Sequence, residues 1–294
     1  MALNDKWFHL IALLTVFIWG ITFVSTKILL HAGLSPEDIF FYRFLLAYVG
    51  IWFFGKQPLF SENIKDELVF LLIGISGGSL YFLSENFALK ITLASNVSLI
   101  VCTAPILTTI LSRIFLKNEK MHRQMIWGSI MALLGVALVV FNGNFVLKVH
   151  PLGDFLSLLA AFLWAVYTIL LKRLGDRYST LFITRKVFFY GLLSITPVFI
   201  FKPLMSDISV LSRPVVWGNL LFLGFVASLI CYFLWNMSLK RLGAVRTTNY
   251  IYLIPLVTMI VSLIILEEKI TWIALSGAAF ILAGVSLAGK RGAN

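Results

Sequence analysis

Apolar residues in this chain come in blocks too long for a soluble core. Runs free of acidic and basic charge cover 7–26, 91–112, 124–147, 214–239, 247–266 and 270–289. Each is near the length of a membrane-spanning helix, about 17–25 residues. Four further apolar segments, 36–55, 68–89, 155–174 and 180–201, are shorter or carry a charge. Together they predict an all-α polytopic membrane protein of ten transmembrane helices joined by short connections. A spanning barrel is not expected, because runs of about ten residues with alternating polarity are missing. The first span lacks a small-residue cleavage site after a brief apolar core, so it is read as a retained helix.

The pattern is written twice. Tyr81-Phe82-Leu83, Leu89-Lys90, Ala94, Pro105, Glu119-Lys120, Gly128 and Gly135 return as Tyr232-Phe233-Leu234, Leu239-Lys240, Ala244, Pro255, Glu268-Lys269, Gly277 and Gly284. Trp19 and Lys27 return as Trp164 and Lys172 with the same spacing. The joint lies near 144–151, which divides the chain into 1–147 and 148–294. Five spans fall on each side. Five is odd, so the second half enters the membrane from the opposite face, giving two inverted five-helix repeats. Such a body suits a secondary transporter, in which two half-molecules close around a central site.

Composition agrees with this picture and adds an orientation. Hydrophobic residues are 60% of the chain, charged residues 13%, and the mean hydropathy is +0.96. Soluble domains carry about 45–50% apolar and about 25% charged residues. The net charge of +11 comes from 24 basic and 13 acidic residues. With the N-terminus cytoplasmic, the far side of the membrane receives Lys27, Lys90, Lys148, Lys202, Arg213 and Lys269. Arg43, Arg113, Arg185 and Lys186 lie within or at the mouths of spans. The other fourteen basic residues fall on the cytoplasmic side (24 − 6 − 4 = 14). This bias places both termini inside a bacterial inner membrane. The basic balance then serves orientation and lipid headgroups, and no nucleic-acid partner is expected. Cys102 and Cys231 sit in apolar runs and read as packing residues.

No phosphate loop, zinc-spaced histidine pair or nucleophile elbow is present. Catalytic residues, cofactors and metals are therefore not expected. His9, His31, His122 and His150 lie towards span ends as interfacial groups. Glu119-Lys120 and Glu267-Glu268-Lys269 read as hairpin closures. Pro105 and Pro255 occupy equivalent span interiors, where each removes a backbone donor and is expected to kink its helix. The paired glycines predict close helix contacts.

Polar groups inside apolar spans carry more information, because burying one is costly without a partner or water. Glu85 is the one carboxylate well inside a span by this threading. It would bind a ligand ammonium, take a coupling proton, or pair structurally with a lysine or arginine at a span end. Tyr232, Trp235 and Asn236 in the matching helix, with Asn249, Tyr250 and Tyr252 further on, would line a mainly uncharged pocket or serve packing. Trp19 and Trp164 would stack on a flat solute or fill a helix junction. Lys27 and Lys172 lie at opposite faces and can snorkel.

At these residues the chain resembles the drug/metabolite transporter superfamily, and within it the EamA-like ten-helix transporters. The resemblance rests on Phe17-Ile18-Trp19-Gly20-Ile21-Thr22-Phe23 with Lys27, on the Arg43 helix, and on the block from Ala94-Ser95-Asn96 through Pro105, Glu119 and Gly128 to Gly135. Its second copy runs from Ala244 through Pro255, Glu268 and Gly277 to Gly284. The resemblance implies two inverted bundles around a central cavity. It makes Trp19, Tyr81, Glu85, Asn96, Trp164, Tyr232, Trp235 and Tyr250 the candidate lining. The second half departs at Trp164-Ala165, where the first has Trp19-Gly20. The implied activity is export of amino acids, aromatic ones among them, or of related small metabolites by alternating access. The partners are then a small-molecule solute and the bilayer, with a coupling proton or another ion as a further partner, and a monomer is expected. A lipid-handling protein or membrane-embedded enzyme is the second class of reading, and a structural or sensory membrane protein the third. An enzyme should cluster ionisable groups at one depth, and a sensor usually carries a soluble output domain.

Overall fold

The protein is described from a computed structural model covering residues 5–55, 57–92, 94–116, 123–141, 150–204, 208–266 and 271–289. The described residues are helical and include no strand. Six helices are long and apolar enough to cross a membrane: Asp5–His31 (α1), Ile64–Ile91 (α3), Val97–Phe115, Pro151–Leu174 (α7), Thr180–Phe201 (α8) and Pro214–Leu242 (α9). Val97–Phe115 spans two pieces, Ala94–Val101 (α4) and Ala104–Phe115 (α5). The remaining apolar helices are Pro36–Ile51 (α2), Arg123–Phe141 (α6), Ala244–Thr248 (α10), Ile254–Leu266 (α11) and Trp272–Gly289 (α12). The expected joint at 144–149 and the Glu119-Lys120 and Glu267–Lys269 turns lie outside the described residues.

Local sequence sets the helix starts. Ser35 opens α2 with a capping box closed by Asp38, and Pro36 begins the helix. Ser179 accepts a hydrogen bond from the Phe182 amide at the start of α8, and Asn63 does the same for Asp66 in α3. Gly243, at φ 91°, turns the chain sharply between α9 and α10, a conformation that side chains with a Cβ rarely adopt. Buried hydroxyls return their protons to the preceding turn: Thr15 to Ile11, Ser157 to Gly153 and Thr168 to Trp164. They therefore add no unsatisfied donor to an apolar interior.

The outside of the bundle is apolar. Trp127, Leu134, Phe155 and Leu282 are all more than half exposed. In water this surface would be an aggregation site, whereas in a bilayer it faces acyl chains.

Close packing is set by glycine. α6 and α12 run antiparallel and touch backbone to backbone. A Cβ on Gly128 would lie 2.5 Å from the Gly284 carbonyl oxygen, and one on Gly135 would lie 2.6 Å from that of Gly277. Each glycine therefore meets the opposite member of the other pair, and no side chain fits between.

Two helices are locally widened. α3 makes a π turn over Ile75–Ser79 and α9 over Phe222–Ile230. Gly74 in α3 abuts Tyr190 of α8, while Gly224 in α9 abuts Leu46 of α2. The widened segment of each half thus packs on a helix of the other half.

Pro105 and Pro255 mark interruptions in place of smooth bends. Pro105 is the second residue of α5, directly after a turn at Cys102–Thr103. Pro255 is the second residue of α11, after the 3₁₀ segment Asn249–Leu253. Proline is well tolerated in a first helical turn, because no internal bond is lost there.

Candidate functional site

Aromatic side chains bond to backbone carbonyls of the widened turns. Tyr232 donates its hydroxyl to the Gly77 carbonyl at 2.6 Å. Trp19 donates its indole N–H to the Ala227 carbonyl at 3.0 Å. Both carbonyls lie in π segments, and each bond joins the first half of the chain to the second. π turns recur at functional sites.

These bonds set one wall of a central cavity. Trp19, Tyr81, Trp164 and Tyr232 line it together with Arg43 and Glu85. The rings pack edge to face or tilted. Trp164 lies 5.2 Å from Trp19, 5.1 Å from Tyr81 and 5.9 Å from Tyr232, centroid to centroid. Such contacts stabilise by roughly 0.5–1.5 kcal/mol each beyond area burial. The cavity has a volume of about 40 Å³, enough for a few waters. A larger solute therefore requires the aromatic walls to part.

Glu85 lies in α3, and its Oε1 accepts the Tyr81 hydroxyl at 2.8 Å. No lysine or arginine pairs with it among the described ion pairs. The cation sharing its cavity is Arg43 from α2. Arg43 is 2% exposed and donates from Nε to Ser228 Oγ at 3.0 Å. Its guanidinium sits 4.1 Å from the Phe82 ring centroid. The sequence places Arg43 within or at the mouth of its span and does not include it in the expected lining. The available signal was its place in an otherwise apolar helix, where an arginine is costly without a task.

The other expected lining residues separate. Trp235 is fully buried behind the cavity, 4.9 Å from Trp19, and its indole N–H has no partner among the described residues. Tyr250 lies away from the cavity on the 3₁₀ segment, where its hydroxyl meets His9 Nδ1 at 2.8 Å. Asn96 belongs to α4, and its side chain lies outside the described residues. Asn236 is committed elsewhere. It accepts from Tyr167 at 2.6 Å and donates to Thr184 at 3.0 Å.

Ion pairs gather at the two ends of the bundle. At the end holding the N-terminus, Asp5 pairs with Arg241, Asp66 with Arg177 and Glu67 with Lys186, and Lys240 donates to the Tyr178 carbonyl. At the other end Glu37 pairs with Lys202 at 3.0 Å. Each of these contacts except Lys240–Tyr178 joins the two halves. Among the described residues no group of three or more histidine, cysteine, aspartate or glutamate side chains is placed to hold a metal.

Comparison with known proteins follows this geometry. The EamA-like transporter family matches residues 6–141 and 151–289. An uncharacterized transporter of Archaeoglobus fulgidus is 30% identical over 283 residues, covering 95% of this chain and 96% of its own. A protein of Escherichia coli named as a probable amino-acid metabolite efflux pump is 28% identical, covering 94% and 92%. One of Streptantibioticus cattleyicolor, named as a probable terminal-alkyne amino-acid exporter, is 27% identical, covering 95% and 92%. A solved crystal structure shares the fold with a TM-score of 0.74 at 18% identity, covering 97% of this chain and 96% of that one. The aromatic cavity, the apolar exterior and these matches meet in one statement: the chain belongs to the EamA-like transporter family, and is a membrane-embedded transporter of small solutes, not an enzyme.

Proposed function

We propose that this transporter exports amino acids, aromatic ones among them, or related small metabolites across a bacterial inner membrane by alternating access. Its body is read as ten spans in two inverted five-helix repeats, 1–147 and 148–294, with both termini cytoplasmic. The observation that carries the reading is the cavity itself. Matched residues of the two halves, Trp19 with Trp164 and Tyr81 with Tyr232, face one another around a small space. A site built on such a junction is exposed to one side or the other as the halves rock. The antiparallel contact of α6 with α12 fits inverted halves, and the ion pairs at both ends fit gates that open in turn. Two relatives named for amino-acid efflux or export support the solute class.

In this reading Glu85 receives the solute's ammonium or a coupling proton. Binding shifts the balance of inward-open and outward-open states, and no chemical step occurs. The test is a screen of labelled solutes in liposomes containing the purified protein, against protein-free vesicles. Movement of at least one zwitterionic amino acid is expected. Fast lipid movement between leaflets with no solute flux would point to lipid handling instead.

A further inference from the structure

A buried guanidinium normally spends its donors on a carboxylate or on backbone carbonyls. Arg43 does not. Its Nε bonds Ser228 and its flat face rests on Phe82, while Nη1 and Nη2 donate to no described group. Yet the residue is 2% exposed and lines the central cavity. Glu85 lines the same cavity, holds the Tyr81 hydroxyl on one oxygen, and forms no ion pair with Arg43. Opposite charges thus sit in one enclosure and attract across it, without closing into a contact ion pair. Leaving both in an apolar interior is costly, and a ligand carrying the complementary pair removes that cost.

Among the described residues, the second half places no charge in the cavity: α8 carries Arg185 and Lys186, but Arg185 donates to the Gln57 and Pro58 carbonyls and Lys186 pairs with Glu67. Ser35 and Ser179 cap matched helices, and the residue eight places after Ser179 is Val187, where Arg43 follows Ser35 by eight. Glu85 follows Tyr81 by four, and Asn236 follows Tyr232 by four. That asparagine is held by Tyr167 and Thr184. Symmetric packing would use the same residue in both halves. The asymmetry gives the cavity a positive and a negative pole, each drawn from the first half.

We propose that Arg43 is the carboxylate anchor of the transported solute, so that a zwitterionic amino acid lies with its carboxylate on the free Nη1 and Nη2 and its ammonium towards Glu85. The two terminal nitrogens offer parallel donors that match the two oxygens of a carboxylate. Ser228 and Phe82 fix the guanidinium plane, which leaves these donors pre-set. The aromatic rings around them suit the amino acid's side chain. This inference rests on the transport reading of the same cavity and specifies which solute chemistry it accepts.

The test uses purified full-length protein in detergent. Equilibrium dialysis would follow labelled L-phenylalanine, L-leucine and L-threonine, each competed by its decarboxylated amine. Wild type should bind at least one amino acid about tenfold or more tighter than that amine, the scale of a charged hydrogen-bonded contact. Arg43→Gln should bring the two within about twofold. Ser228→Ala removes the Nε bond that fixes the plane but keeps the charge, and should weaken the preference less than Arg43→Gln does. If Arg43→Gln does not fold, Arg43→Lys supplies the reading, because it keeps the charge but loses the fork and should shrink the preference. An unchanged preference in the folded Arg43 variant, or an amine bound by wild type as tightly as its amino acid, would overturn the anchor. Flux in liposomes separates the two claims. If amino acids move but Arg43 variants keep the same selectivity, the anchor alone fails. If no amino acid binds or moves, the transport reading fails with it.

Discussion

Trp19 and Trp164 meet edge to face, with ring centroids 5.2 Å apart and planes at 88°. They hold the same place in the two halves of the sequence, eight residues before Lys27 and Lys172. In the proposed inverted arrangement the two are related by a two-fold axis and can touch only near it, so this contact would put the cavity where the halves pivot in the proposed cycle. The pair is not chemically equivalent. Trp19 spends its N–H on the Ala227 carbonyl, and the Trp164 N–H is buried without a partner among the described residues.

That difference predicts unequal stability losses. Trp19→Phe and Trp164→Phe remove similar ring volume. The first also removes a side-chain donor from the Ala227 carbonyl in the π segment, adding about 0.5–1.5 kcal/mol. Thermal melting of the purified variants in detergent should therefore show a clearly larger drop for Trp19→Phe. Equal drops would contradict the role given to the Ala227 bond.

A second contrast lies in the α6–α12 contact. Gly128→Ala places a methyl 2.5 Å from the Gly284 carbonyl and the Ala288 amide, so the helices must separate. The overpacking should cost about 1–3 kcal/mol. Gly218→Ala meets nothing within 4 Å and should be neutral or slightly stabilising. Melting temperature and folded yield measure both, and a Gly128→Ala protein as stable as wild type would rule out a backbone-to-backbone contact.

Much of this arrangement was legible in the sequence, and its limits have physical causes. Length and hydropathy located the apolar segments, and the glycine spacing marked the α6–α12 seam. The face each residue presents was harder to read. A π turn adds a residue, which rotates everything after it by roughly 100° relative to a regular helix. Tyr81 and Glu85 follow such a turn in α3, and Trp235 follows one in α9. Simple periodicity therefore does not fix which of them enters the cavity and which packs behind it. Tyr250 sits on a 3₁₀ segment, where a different period aims it at His9. The sequence sets Arg43 within or at the mouth of a span and not in the candidate lining, because a basic side chain there can snorkel, and only tertiary packing shows this one enclosed.

The membrane orientation has its own test. A reporter active only in the cytoplasm, fused to the C-terminus, should be active. A cysteine introduced at His150 should react with an impermeant thiol reagent from outside intact cells. An inactive reporter, or a site labelled only after permeabilisation, would sink the ten-span inverted arrangement.

Glu85→Gln keeps the size of the side chain and removes its charge and titration. Flux should fall about tenfold or more if the carboxylate meets the solute's ammonium or carries a proton. The pH profile separates those roles. A proton carrier loses its pH dependence in the variant, whereas an ammonium contact loses affinity with the profile shape retained. Unchanged flux and an unchanged profile would remove Glu85 from the mechanism.

The central claim is that one cavity, shared by both halves, opens to each side in turn. Counterflow tests it most directly. Liposomes containing the protein are loaded with unlabelled L-phenylalanine, or with another amino acid that the flux screen shows to move, and diluted into a trace of the same compound labelled. An alternating-access carrier should accumulate label transiently above its external concentration, and Trp164→Ala at the junction should weaken this. Label that only equilibrates, at a rate indifferent to the internal solute, would contradict the account.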